Sequence, residues 1–441
     1  FLPQLLLLLL LLQTLLNLAL AGAPAPYEPG SLGLSGYANP APLAPCTGSC
    51  GLFYWLMPSR RDPAADPLVL WLQGGPGASS LLGLFYELGP LRFEEGAAEG
   101  TDPVDNPFSW NAESNVLFVD QPFGTGFSFS SPSDYVTDME GMAAYLHGAL
   151  IDLTHTRQPW LRGKPLYLSG ESYAGKYIPY LATHIRANPH WGELPLTGLL
   201  IGDGWVNPET IVATYPAFAY ARGLVGRSGR AALEANLTQF QKLMSAGELE
   251  AATDLEHSME AYISAVSGMN AYDVTHYGSY DFAAVGSFLS RPEVREALGV
   301  GDRRWTLSNP AVAAPLKADI VKPASQLLPA LLDPASGLRV VLYNGVNDLD
   351  CNIEGTLAWL TALEWPGKEA FERAPRMEWR PRTTQGRGHK RLPRRASAGV
   401  APAGWVVSAG NFTQIVLRAS GHMVPMTSPE AALEVLSLAL R

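Results

Sequence analysis

Four residues suited to a buried strand, Leu166-Tyr167-Leu168-Ser169, run straight into Gly170-Glu171-Ser172-Tyr173-Ala174-Gly175-Lys176-Tyr177, and a helical pattern follows. No other stretch constrains the fold as tightly. A serine that acts as a nucleophile has to be held on a sharp strand-to-helix turn, with its oxygen exposed and small residues two places either side. Gly170 and Ala174 are those neighbours, with Gly175 directly behind. The usual pattern has glycine at both places, and Ala174 departs from it. Alone, such a match is an ordinary turn; it gains meaning when an acid and a histidine follow in order on the right elements.

The rest of the chain supplies those elements. Leu52 to Leu56, Leu68 to Leu72, Asn115 to Val119, Leu196 to Ile201, Leu338 to Tyr343 and Phe412 to Leu417 read as strands. Several are continuous apolar runs, as expected of central strands covered on both faces. Helical patterns lie between them. Met139, Met142, Ala143, Leu146 and Leu150 share one face, Ala174 to Ile185 follows the serine, and Ser428-Pro429 opens the last helix as cap and first-turn proline. Strands alternating with helices predict a doubly wound, mostly parallel α/β sheet. Between Asp203 and Leu338 helical patterns dominate, including Ala231 to Leu243 and Ala251 to Val266. This is expected to be an insertion over the carboxyl edge of the sheet, where ligand sites of such folds form.

A hydrophobic share of 47% suffices for a large core, and a formal charge of −10 argues against nucleic-acid or anionic-membrane partners. The leucine-rich run from Phe1 to Leu20 ends in Ala21-Gly22-Ala23-Pro24, which predicts a secretory signal over 1–23 whose own start lies upstream. About 20 apolar residues could also anchor in a bilayer, but the small-residue tail favours the signal, so no membrane contact is expected after its removal. Among three cysteines, Cys46 and Cys50 are close enough to bridge or could be unrelated, and no histidine nearby suggests zinc. Asn236 and Asn411 open glycosylation patterns that agree with secretion. Basic residues crowd Arg380 to Arg395 within an irregular segment, 380–404, read as an exposed loop; Lys390-Arg391 and Arg394-Arg395 are candidate nicking sites.

A serine hydroxyl needs an imidazole to take its proton and a carboxylate to orient that imidazole. In α/β-hydrolases the order is Ser, then Asp or Glu, then His, the last two after later strands. Asp348 and Asp350 both follow the strand ending at Tyr343 and both qualify on position. Of the two downstream histidines, His389 sits in the basic segment, whereas His422 directly follows the strand ending at Leu417. His422 is the expected base. The glycines of Gln73-Gly74-Gly75-Pro76-Gly77, after another strand, let backbone approach a substrate and offer N–H groups to an oxyanion.

From Gly51 onward the chain resembles the serine carboxypeptidases, secreted and vacuolar or lysosomal enzymes of the α/β-hydrolase fold. The resemblance rests on five ordered blocks: WLQGGPGASS (71–80), VDQPFGTGFS (119–128), GESYAGKY (170–177), YNGVNDLDCN (343–352) and GHMVP (421–425). It implies a mostly parallel central sheet with a helical cap insertion, the core divided into 46–205 and 337–441 and the cap at 206–336. It implies Ser172 as nucleophile, His422 as base, Asp348 rather than Asp350 as acid, and the N–H groups of Gly75 and Tyr173 as oxyanion hole. It further implies that Glu171, supported by Trp71, Gln73, Gly74 and Glu87, binds the free carboxylate of a peptide or protein C-terminus. Two carboxyl groups lie together only if one is protonated, so activity at acidic pH is expected. Cys351 matches a thiol near the site, a target for mercurial or alkylating reagents. Neither metal nor other cofactor is expected.

The chain departs from the family in places. Gln73 stands where asparagine is usual, Ala78 replaces a cysteine that normally bridges to the insertion, and Gly202-Asp203-Gly204 replaces Gly-Asn-Gly. Without that bridge the cap is expected to be looser than is typical. Related acyltransferases that act on small metabolites typically carry aspartate at the Glu171 position, so the glutamate favours a peptidase. An intact Ser, Asp and His set argues against a secreted binding protein with a vestigial site. The expected location is the secretory pathway, extracellular or vacuolar/lysosomal; nothing in the sequence sets an oligomeric state or the side chains preferred beside the scissile bond.

Overall fold

A computed structural model describes residues 22–40, 43–44, 46–189, 194–381 and 401–441. The expected signal up to residue 21 and the basic stretch 382–400, with its candidate nicking sites, lie outside the described residues. The strands are β1 (Leu34–Ala38), β2 (Leu52–Met57), β3 (Leu68–Leu72), β4 (Leu91–Arg92), β5 (Val104–Asp105), β6 (Asn115–Val119), β7 (Leu166–Ser172), β8 (Leu196–Gly204), β9 (Arg339–Gly345), β10 (Met377–Trp379), β11 (Gly404–Ala409) and β12 (Phe412–Leu417). β4 and β5 form a small ribbon; the other strands form one sheet in the order β1-β2-β6-β3-β7-β8-β9-β12-β11-β10. Pairing is parallel from β6 through β3, β7, β8 and β9 to β12. It is antiparallel at both flanks.

Successive strand residues point to opposite faces, and here both faces are apolar. Leu70, Leu72, Leu166 and Leu168 pack in one layer with the helices Met139–Asp152 and Ala174–Ala187. Val69, Trp71 and Tyr167 pack in the other, against the helix Pro429–Ala439. Each such fully buried aliphatic side chain stabilises the fold by about 2 kcal/mol. Among the described residues, no helix is long and apolar enough to cross a membrane.

Between β8 and β9 the chain forms a series of helices, beginning with Pro208–Ala221, Arg227–Ala246 and Leu249–Ser267. Where the resemblance implies a disulfide to this segment, Ala78 instead pairs with Ser308 as an isolated antiparallel bridge. Ser79 N–H donates to Leu307 O at 2.9 Å, and Asn309 N–H to Gly77 O at 3.1 Å. Cys46 and Cys50 do form a disulfide, with Cα atoms 6.4 Å apart. The sequence reading needs correction at Ser428. It stands at the cap position, but its hydroxyl donates to Ala419 O at 3.3 Å and caps nothing.

Candidate active site

β7 does not end at Ser169 as the apolar run suggests but continues through Ser172, whose φ is +62°. That left-handed conformation costs a non-glycine residue roughly 1 kcal/mol or more and persists only where packing enforces it. The enforcement comes from the glycine turn after β3. A Cβ on Gly74 would lie 2.6 Å from both Ser172 Cβ and Tyr173 N, so only glycine lets the turn approach this closely. Asp120, from the second sequence block, fixes that turn: Oδ1 accepts from Ser79 Oγ (2.5 Å) and Ser80 N–H (3.0 Å), and Oδ2 from Phe127 N–H (3.0 Å). Gly75 lies on the same turn, and Tyr173 follows Ser172 at the start of the helix Ala174–Ala187.

The loops after β9 and β12 bring in the acid and the imidazole. His422 Nδ1 lies 2.8 Å from Asp348 Oδ2, which also accepts from Cys351 N–H at 3.2 Å. The imidazole thus meets Asp348, whereas Asp350 meets Tyr215 and Cys351. Burial works against a charged imidazole, but Asp348, with Asp350 and Glu87 behind it, outweighs burial and raises His422 to about 9. Ser172 Oγ and His422 are not hydrogen-bonded in this arrangement, and such bonds commonly tighten only around a substrate.

Beside the serine, three polar groups line up in the buried interior. Trp71 Nε1 donates to Gln73 Oε1 at 3.1 Å, and Gln73 Nε2 donates to Glu171 Oε1 at 2.6 Å. Glu87 faces Glu171, and both are fully buried. Glu171 Oε2 and both Glu87 oxygens have no donor among the described residues. Burial first, then repulsion from Glu87, raises Glu171 well above the ordinary carboxyl range. Burial likewise pushes Glu87 up to about 7.

The sequence reading missed a segment between β8 and β9 that is stitched to both loops. Leu349 N–H donates to Ala271 O (2.9 Å), His422 N–H to Tyr272 O (2.7 Å), and Val274 N–H to Asn347 O (2.9 Å). The Tyr272 ring stacks on the imidazole at 4.7 Å. Nothing in Asn270-Ala271-Tyr272-Asp273 signals this, because the pairing is made by backbone.

Three further expectations meet their surroundings differently. Cys351 is fully buried, and burial pushes its thiol well up, which disfavours the thiolate an alkylating agent needs. Asn411 Nδ2, the atom that would carry a glycan, donates to Leu338 O at 2.8 Å. Asn236 lies on the helix Arg227–Ala246. Candidate ligand atoms of Asp348, Cys351 and His422, and likewise of Glu256, Glu260 and Asp350, lie within 4.8 Å of one another. In the first group, Asp348 and His422 are already committed to each other.

The site thus combines a strained serine at a strand end, an Asp–His pair on two later loops and a buried carboxyl pair. The family model described as serine carboxypeptidase matches residues 35–441. The chain is 35% identical to a carboxypeptidase Y homolog A of Trichophyton verrucosum, over 87% of this chain and 70% of that protein. It is 33% identical to a serine carboxypeptidase-like protein of Oryza sativa subsp. japonica, over 89% and 90% of the two chains. Its fold is similar to that of Kex1(delta)p, a prohormone-processing carboxypeptidase from Saccharomyces cerevisiae, with a TM-score of 0.78 at 25% identity over 96% and 94% of the chains. The strands, the order of the three side chains and the relatives agree: this chain belongs to the serine carboxypeptidase family, hydrolases of the α/β type.

Proposed function

We propose that this protein releases C-terminal residues from peptides and proteins through an acyl enzyme on Ser172. The observation that carries the reading is the Glu87–Glu171 pair, buried beside the serine with carboxyl oxygens that lack donors. Such a pair can keep its protons and offer one to a substrate's terminal carboxylate, with the Gln73 amide holding Glu171 in place. Ser172 Oγ attacks the last peptide carbonyl while His422 takes its proton. The N–H groups of Tyr173 and Gly75 stabilise the oxyanion. His422 then gives that proton to the leaving amine as the C–N bond breaks, and water repeats the sequence on the ester. Trp71 and Gly74 serve the clamp by fixing Gln73 and the turn. The segment 206–336 is read as a cap, and its side chains as part of the substrate pockets. Delivery through the secretory pathway, to the extracellular space or to a vacuole or lysosome, fits this reading, and retention of clamp protons suits the acidic destination.

The test compares a peptide bearing a free C-terminal carboxylate with its C-terminal amide across pH. For the free acid, kcat/KM should fall relative to the amide as pH rises through about 7, where Glu87 ionises and Glu171 follows. A ratio that stays flat across that range removes the clamp.

A further inference from the structure

Apart from Ser172, one described residue other than glycine has a positive φ: Asp203, at +37°. It occupies a register shift between β7 and β8, where Glu171 pairs with Gly202 but Ser172 pairs with Gly204. The extra residue of such a bulge has its side chain re-aimed. Here it points into the protein with no exposure at all. Oδ1 accepts from Gly345 N–H at 2.9 Å and faces Asn344 Nδ2 at 3.5 Å. Oδ2 has no donor among the described residues. Neither has Oδ1 of Asp348, which is equally buried and whose other oxygen serves His422. The two carboxyl groups are close enough to act on each other's ionisation.

Two orphaned oxygens on adjoining buried carboxyl groups are satisfied together by a single proton between them. We propose that Asp203 is a positioning residue, held as the neutral acid and donating the proton on Oδ2 to Oδ1 of Asp348. The proposal rests on the reading of Asp348 and His422 as the working acid–base pair. The donated bond fixes the plane of the Asp348 carboxylate, so that Oδ2 stays aligned with the imidazole. Because Asp203 stays neutral, it adds no further negative charge to those of Asp348 and Asp350 that favour the protonated imidazole. The other titratable groups within the field of Asp203 are Glu171, Tyr343 and Cys351, all acids whose ionisation a charged Asp203 would disfavour. Burial first, then Asp348, raises Asp203 well above the ordinary range.

The experiment pairs Asp203→Ala with Asp203→Asn, whose amide keeps the shape and a permanent donor. Loss of the donor should lower kcat by about tenfold, the cost of leaving a buried carboxylate oxygen unsatisfied, with KM unchanged. The asparagine variant should restore kcat, and thermal unfolding identifies any loss due to misfolding. Independently of catalysis, the infrared difference between wild type and Asp203→Asn at neutral pH should contain the carbonyl stretch of a protonated carboxyl. Wild-type kcat in Asp203→Ala, failure of asparagine to rescue a folded variant, or absence of that band would each overturn the proposal. If the wild type releases no C-terminal residue, the functional reading fails instead, and the infrared band still decides whether the proton is there.

Discussion

At the scale of single residues, Ser172 and His422 are read as acting as one device rather than two. Either alanine substitution alone should reduce kcat by a factor on the order of a million, and the double variant should lose scarcely more. Steady-state rates beside unchanged circular dichroism would check this; additive losses would mean that the two side chains act separately. These residues were legible before any coordinates because each follows an apolar strand, and strands in a parallel sheet deliver their ends to one edge. Asp203 was not legible as part of the site. Its role depends on a bulge that turns one side chain toward the next strand, and no spacing in the sequence records a bulge. The choice between Asp348 and Asp350 likewise needed the loop's path or the family resemblance, because the two are equally placed along the chain.

Among the elements, the hydrogen-bonded segment from Ala271 to Val274 does what strands cannot: it holds two loops in mutual register. Its close approach depends on Gly421, where a Cβ would strike Tyr272 O and come within 2.6 Å of Asp273 Cβ. Gly421→Ala should therefore displace the segment, lowering stability by about 2 kcal/mol and kcat with it. Gly48→Ala, at an exposed position where a Cβ makes only an ordinary contact with Ser131 Oγ at 3.5 Å, is the control and should change neither. Thermal unfolding and initial rates measure both. Elements with two apolar faces, β3 and β6 among them, were readable as strands because burial imposes an unbroken hydrophobic run. The strands β1 and β11 were not, since both are half-exposed and interleave glycine and serine with apolar residues.

For the whole molecule, the buried acids set a pH dependence of stability. Burial is the main cause raising Glu87 to about 7, Asp120 and Asp350 to about 6 and Glu260 to about 8 in the folded chain. Between their unfolded and folded values the native state holds protons that the unfolded chain has released, so stability falls as pH rises. For Glu87, moving from the ordinary 4.5 to about 7, the loss is on the order of 3 kcal/mol. His422 adds to the trend: its contribution is present below 6.5 and is lost as pH rises through about 9. Lys176, lowered by burial to about 8, has the opposite effect and regains stability only above that pH. The unfolding temperature should therefore decline from about pH 4.5 to about pH 8; a midpoint that climbs over this range would contradict the buried-acid account. The pairing of Ala78 with Ser308 has a separate consequence. Peptide hydrogen bonds fasten the helical segment to the turn beside Ser172, so glutathione or dithiothreitol finds no bond to cleave there. The cystine links residues 46 and 50 instead, so breaking it should leave the seam between that turn and the helical segment in place.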